Sequence, residues 1–351
     1  MIIINVIKIF LPTTLAFLIG IALTPRLTTY MYAHKLWRQK KRVDDAEITN
    51  ADFKKIQNDE AEISTPRVGG IIIWLSALLC VGIIWAISKF VPSDLTIKLD
   101  FYSRSQTLVP LVALLIGAGI GLIDDMAQIR GVVEKISHRY IKIITVIGLG
   151  ALIGAWFYTK LGMTAIAIPF SSQPLILGAL FIPFFILILL AVFSTSVIDG
   201  MDGLAGGVFA VIFAAYAAIA FGQNQVDIAA LCGVMTGSIL AFLWFNIPPA
   251  RFYMGETGIL GLTVVLTVVA FLTDTVLILP LIALPLVATT ASNIIQISSY
   301  KYCGKRRVFK IAPLHHHFHA MGWSKEKIVM RYWVVSIICA LLGVVVAFIS
   351  K

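Results

Sequence analysis

Residues 174–193 read PLILGALFIPFFILILLAVF and contain no charged side chain. A helix needs about 20 consecutive apolar residues to cross the hydrocarbon core of a bilayer, and this stretch is long enough. The polar loop STSVIDGMDG follows directly at 194–203. The stretch therefore predicts a membrane-spanning helix that ends at a polar loop.

Apolar stretches of the same kind recur along the whole chain. The ten predicted spans are 3–23, 69–90, 107–123, 140–157, 174–193, 203–222, 227–245, 258–273, 276–297 and 331–350. The chain is 59% hydrophobic and 13% charged, whereas soluble chains are about 45–50% apolar and about 25% charged. The runs are also continuous, unlike the alternating strands of a membrane β-barrel. We expect an all-α polytopic membrane protein, one domain over 1–351 with a longer polar loop near 34–64.

The basic residues predict the orientation of these spans. Of 28 lysines and arginines, 20 fall in the alternate loops 24–68, 124–139, 246–257 and 298–330. By the positive-inside rule these loops are cytoplasmic, and both termini face outward. The net charge of +10 is then a topology signal and an attraction to the anionic lipids of the bilayer. It does not indicate nucleic acid as a partner.

Five polar groups lie in or beside the predicted cytoplasmic loops. They are TPRVGG at 65–70, GLIDD at 121–125, the acidic loop at 194–207, the segment 246–258 and APLHHHFH at 312–319. Taken singly, each could be a solvated turn at a membrane boundary. Collected on one face, they predict an active site for an anionic, metal-bound substrate from the cytoplasm and a co-substrate in the bilayer.

The first two groups suit phosphate and metal binding. Gly69 and Gly70 could let backbone N–H groups approach an anion at a helix N-terminus, with Arg67 adding positive charge. Asp124 and Asp125 are adjacent carboxylates at membrane depth, where unpaired charges are costly. Mg²⁺ typically takes one or two carboxylates together with substrate phosphates. The pair therefore predicts a magnesium site.

The other three groups add acids, an aromatic ring and histidines. Asp199 and Asp202 have no lysine or arginine in their own loop, so they need a metal or a cation from elsewhere. The fourth group supplies Asn246, Tyr253 and Glu256, and the Tyr253 ring could stack on a flat base. In the fifth group, the three histidines are consecutive, and consecutive residues of a regular helix point about 100° apart. They cannot all face one metal ion from such a helix. We therefore expect a loop from which the three histidines 315–317 diverge toward phosphates and acids.

The order of these groups resembles a known family. PLHHHF at 313–318, GW at 322–323 and KIVMRYW at 327–333 closely resemble the phospho-N-acetylmuramoyl-pentapeptide transferases. These belong to the polyprenyl-phosphate N-acetylhexosamine-1-phosphate transferases of glycosyltransferase family 4. The resemblance covers essentially the whole chain and implies a Mg²⁺-dependent enzyme of peptidoglycan synthesis in the cell membrane. It implies transfer of phospho-MurNAc-pentapeptide from its UDP carrier to undecaprenyl phosphate, giving lipid I and UMP.

The resemblance also implies roles for individual residues. Asp124 and Asp125 match an aspartate pair near the metal and the lipid phosphate, and either could position or deprotonate that phosphate. Glu256 falls on a metal-binding aspartate. The implied catalytic residues also include His315, His316 and His317, and the implied substrate-binding residues are Thr65, Arg67, Gly69, Gly70, Asp199, Gly200, Asp202, Asn246 and Tyr253.

The chain departs from the family pattern at several of these positions. Glu256 is one methylene longer than the usual aspartate, and Tyr253 stands in place of a phenylalanine. Gln128 replaces a lysine after the aspartate pair, and Arg67 is an additional cation. His319 stands where the family has an acid.

Three other functions remain open at this point. A relative could use UDP-GlcNAc or another UDP-HexNAc to start a different glycan, although the histidine triplet disfavours it. A cation-coupled transporter would place its acids near the bilayer midplane, often on two symmetric halves, and the sequence has neither feature. A binding protein without activity is a third alternative, suggested by Glu256. A homodimer is a further partner that we consider.

Overall fold

The computed structural model describes residues 2–37, 64–101, 105–131 and 135–350, and about three quarters of these residues are helical. The first half of the chain forms α1 (Ile2–Ala33), α2 (Ile71–Phe90), α3 (Asp94–Leu99), α4 (Ser105–Ile129) and α5 (Lys135–Lys160). The second half forms α6 (Phe181–Ser194), α7 (Leu204–Gly222), α8 (Val226–Asn246), α9 (Gly255–Leu272), α10 (Leu279–Ile282), α11 (Leu284–Tyr302), α12 (Leu314–Ala320) and α13 (Lys325–Ile349). Most of the polar loop predicted near 34–64 lies outside the described residues.

Hydropathy predicts most of this architecture correctly. Within the described ranges, nine helices are long and apolar enough to cross a membrane. They correspond to nine of the ten predicted spans, and the all-α polytopic class is confirmed. The first helix continues ten residues beyond the end of its predicted span of 3–23, to Ala33.

The predicted span 276–297 is wrong as a single helix. The chain forms the short helix α10, breaks at Ala283 and restarts as α11. Pro280 and Pro285 lie at the first turns of these two helices, where a missing N–H is tolerated. Polar side chains on α11 make internal bonds: Ser292 Oγ accepts from Leu314 N at 2.8 Å, and Gln296 Oε1 accepts from Phe309 N at 2.9 Å. The polar residues of α11 therefore hold the loop that precedes α12 in place.

The core of the bundle is built from α7, α8 and α9, whose side chains are mostly buried. Helix α9 packs along α4, and α8 packs against both α1 and α7. Large apolar side chains elsewhere face outward, as on a lipid-exposed surface, including Leu152, Leu187 and Val334.

Two ends of the bundle differ in character. At one end a short antiparallel hairpin pairs β1 (Ala165–Ile166) with β2 (Leu175–Ile176). At the other end, the C-terminal turns of α4 and α8 meet the N-terminal turns of α2, α7 and α9. A 3₁₀ turn over Thr195–Ile198 follows α6 into this same region. The five polar groups of the sequence lie there.

Candidate active site

Asp125 anchors the start of the central helix α9. Its Oδ1 accepts a hydrogen bond from Glu256 N at 3.2 Å. Its Oδ2 accepts from Thr257 N at 2.8 Å and from Thr257 Oγ1 at 2.7 Å. The carboxylate is only 1% exposed and lies at the positive end of the helix dipole, where a negative charge is stabilised. Asp125 thereby fixes the backbone position of Glu256.

Asp124 belongs to a second cluster, which contains a cation. Lys142 Nζ on α5 lies 3.0 Å from Asp124 Oδ2 and 2.7 Å from Glu256 Oε1. Gln128 Nε2 donates to Asp124 Oδ2 at 2.8 Å. One ammonium group therefore joins the carboxylates of two different helices.

A glycine on α4 allows these groups to meet. Gly121 lies one turn before Asp125, and a Cβ added there would overlap the backbone carbonyl of Glu256. Any larger residue at this position would hold α4 away from the first turn of α9. The GLIDD motif therefore combines two carboxylates with the close helix packing that positions them.

Asp199 lines a recess beside this cluster. The residue is exposed, yet the protein atoms around its carboxylate reduce its hydration and raise the pKa of Asp199 to about 6. The Arg67 guanidinium opposes the increase, whereas Glu256 adds to it. Arg67 also interacts electrostatically with Asp125. It is the cation that the acidic loop lacked in the sequence.

Asp202 and Asn246 connect the acidic loop to the loop that precedes α9. Asp202 Oδ2 accepts from Ala250 N at 3.2 Å. Burial raises the pKa of Asp202, while this hydrogen bond and Lys325 oppose the increase. Asn246 is buried, accepts from Gly203 N at 2.9 Å and donates to the carbonyl of Phe252 at 2.8 Å. Its amide is thus a bridge between two loops.

The glycine pair at the start of α2 does not present free N–H groups to an anion, contrary to the prediction. Gly69 N donates to the carbonyl of Tyr253 and Gly70 N to that of Met254, both at 2.9 Å. A Cβ at Gly70 would overlap the backbone of Gly258. The two glycines therefore allow the turn that contains the buried Thr65 to pack closely against the start of α9.

The histidines lie on the short helix α12, so the predicted loop is wrong. His315 is fully buried, and neither ring nitrogen has a hydrogen-bond partner among the described residues. A Cβ atom added to Gly200 would overlap His315 Nε2 and would lie 3.3 Å from His316 Nε2, so both histidine rings lie close to Gly200. Burial lowers the pKa of His315 well below its usual value, and His316 adds to this effect. His315 is therefore neutral at pH 7 and faces the acidic loop.

His317 points elsewhere, as the helical rotation of about 100° per residue requires. Its Nδ1 accepts from Lys310 N at 3.2 Å, and its ring packs edge-on against Phe309 at 5.4 Å. The divergence of the triplet was predicted correctly. Its first two members face the acidic loop, and the third supports the preceding loop.

Lys142 and Thr257 were not identified from the sequence. Lys142 is the one lysine or arginine within the predicted span 140–157. A charged side chain inside an apolar span usually faces a partner within the bundle. The position of Lys142 in the sequence therefore indicates a residue of the site. Thr257 could not be identified as a site residue from the sequence, because a threonine next to an acid is common at a helix start.

The cluster contains the oxygen ligands that Mg²⁺ prefers. Glu256 Oε2 is buried and has no hydrogen-bond partner in the described part of the chain. Within the same ranges, no three histidine, cysteine or acidic side chains are grouped closely enough to hold a metal ion. Mg²⁺ can bind through one or two carboxylates together with substrate phosphates, and Glu256 and Asp124 are the carboxylates of this cluster that could hold it.

An apolar groove leads to the same end of the bundle. It is lined by side chains of α6, α9 and the α10–α11 break, including Ile188, Val192, Leu266 and Leu286. Its polar end is Thr195, four residues before Asp199. A lipid chain could therefore lie in this groove with its head group near the acids.

Comparisons with known proteins identify the family of the chain. Residues 107–274, which include the aspartate pair, the acidic loop and Glu256, match glycosyl transferase family 4. The chain is 37% identical to a phospho-N-acetylmuramoyl-pentapeptide-transferase of Rubrobacter xylanophilus over 64% of its own length and 71% of the relative. Proteins of the same name from Geobacillus thermodenitrificans and Anoxybacillus flavithermus are 35% and 32% identical. They cover 82% and 94% of this chain, and the chain covers 85% and 95% of them. The chain therefore belongs to the phospho-N-acetylmuramoyl-pentapeptide-transferase family.

Proposed function

We propose that this protein transfers phospho-MurNAc-pentapeptide from its UDP carrier to undecaprenyl phosphate in peptidoglycan synthesis. The observation that carries the proposal is the convergence of four carboxylates with Arg67, Lys142 and the His315–His316 pair at one end of a bundle of this family. The carboxylates are those of Asp124, Asp125, Asp199 and Glu256.

The reaction is a phosphoryl transfer between two anions. A phosphate oxygen of the lipid attacks the β-phosphorus of the nucleotide sugar, and the bond from that phosphorus to the bridging oxygen breaks. UMP leaves with the bridging oxygen, and the new diphosphate joins the sugar to the lipid as lipid I. Such a transfer depends mainly on positioning and charge stabilisation. Arg67 and the half-buried His316 are placed to contact the phosphates, and the buried His315 lies against Gly200 of the acidic loop.

The two adjacent aspartates have different tasks in this proposal. Both oxygens of Asp125 already accept hydrogen bonds from the start of α9. Asp125 therefore positions Glu256. Asp124 is bound by two side chains that can move, those of Lys142 and Gln128. It is the better candidate to orient or deprotonate the lipid phosphate.

Glu256 and Asp124 would hold the magnesium ion. When bound there, Mg²⁺ would offset the charge of the diphosphate. Asp199, Asp202 and the Tyr253 ring would bind the uridine side of the substrate, while Asn246 and the Gly69–Gly70 pair would keep their loops in place.

We place the protein in the cell membrane with the acidic end in the cytoplasm. The support is the 20 of 28 basic residues in loops of that end. The undecaprenyl chain would lie in the groove that ends at Thr195. A homodimer stays a prediction.

The test uses purified protein with undecaprenyl phosphate, Mg²⁺ and a panel of UDP-sugars, with UMP release as the readout. We expect UMP from UDP-MurNAc-pentapeptide and little from UDP-GlcNAc. UMP from UDP-GlcNAc alone would assign the chain to another glycan, and no UMP from any sugar would refute the enzyme. The Glu256→Gln variant should be inactive, and full activity of that variant would refute its metal role.

A further inference from the structure

We propose that Lys142 is a built-in competitor of the metal ion. Its ammonium group lies 2.7 Å from Glu256 Oε1 and 3.0 Å from Asp124 Oδ2, within direct contact of both carboxylates. The inference rests on the proposed function, because it takes these two carboxylates as the metal ligands.

The geometry allows one cation at a time between these oxygens. Mg²⁺ binds carboxylate oxygens at about 2.0–2.1 Å and holds its ligands in octahedral positions. An ammonium group that contacts the same two oxygens would then lie too close to the ion. A metal ion that takes Glu256 Oε1 and Asp124 Oδ2 therefore has to displace the Lys142 side chain.

The surroundings indicate why such a lysine is present. Asp125 and Asp199 add further negative charge near the Asp124–Glu256 pair, and like charges repel strongly where water is scarce. Lys142 offsets this repulsion before substrate arrives. Lys142, Asp124 and Glu256 are 19%, 9% and 22% exposed, so the ammonium group has a path to swing out.

The longer side chain of Glu256 matters for this contact. It brings a carboxylate from the first turn of α9 to the Lys142 ammonium on α5. An aspartate at this position would be one methylene shorter and would hold Lys142 less well. The exchange between lysine and metal is thus a property of this pair of residues.

The test measures binding of Mn²⁺ alone to the purified full-length protein, without nucleotide or lipid substrate. Free Mn²⁺ gives a sharp electron paramagnetic resonance signal that is lost on binding. We expect Lys142→Met to bind Mn²⁺ tighter by about fivefold, since a partly exposed ion pair is worth about 1 kcal/mol and about 1.4 kcal/mol corresponds to tenfold. Lys142→Arg should keep the affinity of the wild type. The matched control is Lys160→Met, at the far end of the same helix and exposed, which should also change nothing.

An unchanged or weaker affinity of Lys142→Met would overturn the competition. If that variant does not fold, Lys142→Gln, which keeps a polar side chain but removes the charge, gives the same information: tighter binding supports the proposal, and equal or weaker binding overturns it. Glu256→Gln separates this inference from the proposed function. If Glu256→Gln binds Mn²⁺ as the wild type does, the metal assignment itself fails, and the competition fails with it.

Discussion

At the scale of single residues, the hydrogen bonds of Asp125 connect the chemistry to the fold. The carboxylate accepts from two N–H groups at the start of α9 and from the Thr257 hydroxyl. A hydrogen bond contributes about 0.5–1.5 kcal/mol to stability. Replacement of Asp125 should therefore lower the stability of the fold and displace Glu256.

His315 gives a prediction on pH. Its pKa is lower in the folded protein than the usual value of 6.5, so the unfolded chain binds the proton more readily. Above about pH 6.5 the His315 side chain is neutral in both the folded and the unfolded chain. As the pH falls below this value, protonation favours the unfolded chain, so the free energy of unfolding decreases. We expect the melting temperature of the wild type to fall more between pH 7.5 and pH 5, values spanning about 6.5, than that of His315→Gln.

The control for this experiment is His319→Gln. His319 is half-buried, and its Nδ1 lies 2.9 Å from the carbonyl oxygen of Trp323. This variant should follow the wild type over the same range of pH. Parallel curves for the wild type and His315→Gln would show that His315 is not the group responsible.

The sequence singled out the acids and histidines of the candidate site because such groups are costly beside a membrane unless they are used. The same reasoning should have found Lys142, which lies two residues inside an apolar span. The role of Gly69 and Gly70 could not be predicted, since only the fold shows that the carbonyls of Tyr253 and Met254 take their N–H groups.

At the scale of elements, the packing of α4 on α9 positions the carboxylates. Gly121→Ala would push the backbone of Glu256 away, and such overpacking costs about 1–3 kcal/mol. We expect a lower melting temperature and a large loss of UMP release. Gly119→Ala is the matched control on the same helix, because a Cβ there meets no atom within 4 Å. It should be neutral or stabilise by up to about 1 kcal/mol. Equal behaviour of the two variants would contradict the close approach.

The length of the apolar runs predicts nine of the helices well, because a helix needs about 20 apolar residues to cross a bilayer. It fails at 276–297, where the run is apolar enough in sequence but the chain breaks at Ala283. The polar residues of α11 face partners that are distant in sequence. Hydropathy averages over such residues and cannot show which loop they support.

At the scale of the whole molecule, the orientation can be tested with the native cysteines. Cys303 is exposed, whereas Cys80, Cys232 and Cys339 are buried. Cys303 lies in the basic loop 298–330, which we place in the cytoplasm. A maleimide that cannot cross membranes should label inside-out vesicles and leave right-side-out vesicles unlabelled.

Two variants make the labelling result specific. Cys303→Ser should abolish the signal. Phe170→Cys in that background should reverse the pattern, because Phe170 is exposed in the hairpin at the opposite end of the bundle. Labelling of Cys303 from outside would contradict the orientation.

The central claim is that the sugar moves together with its phosphate. The most direct measurement gives the purified protein undecaprenyl phosphate and UDP-MurNAc-pentapeptide that carries radioactive phosphorus only in the β-phosphate. We expect the label in the lipid fraction and unlabelled UMP in the aqueous fraction. Label that stays in the aqueous fraction as UDP would mean transfer of the sugar without its phosphate, and would contradict the account.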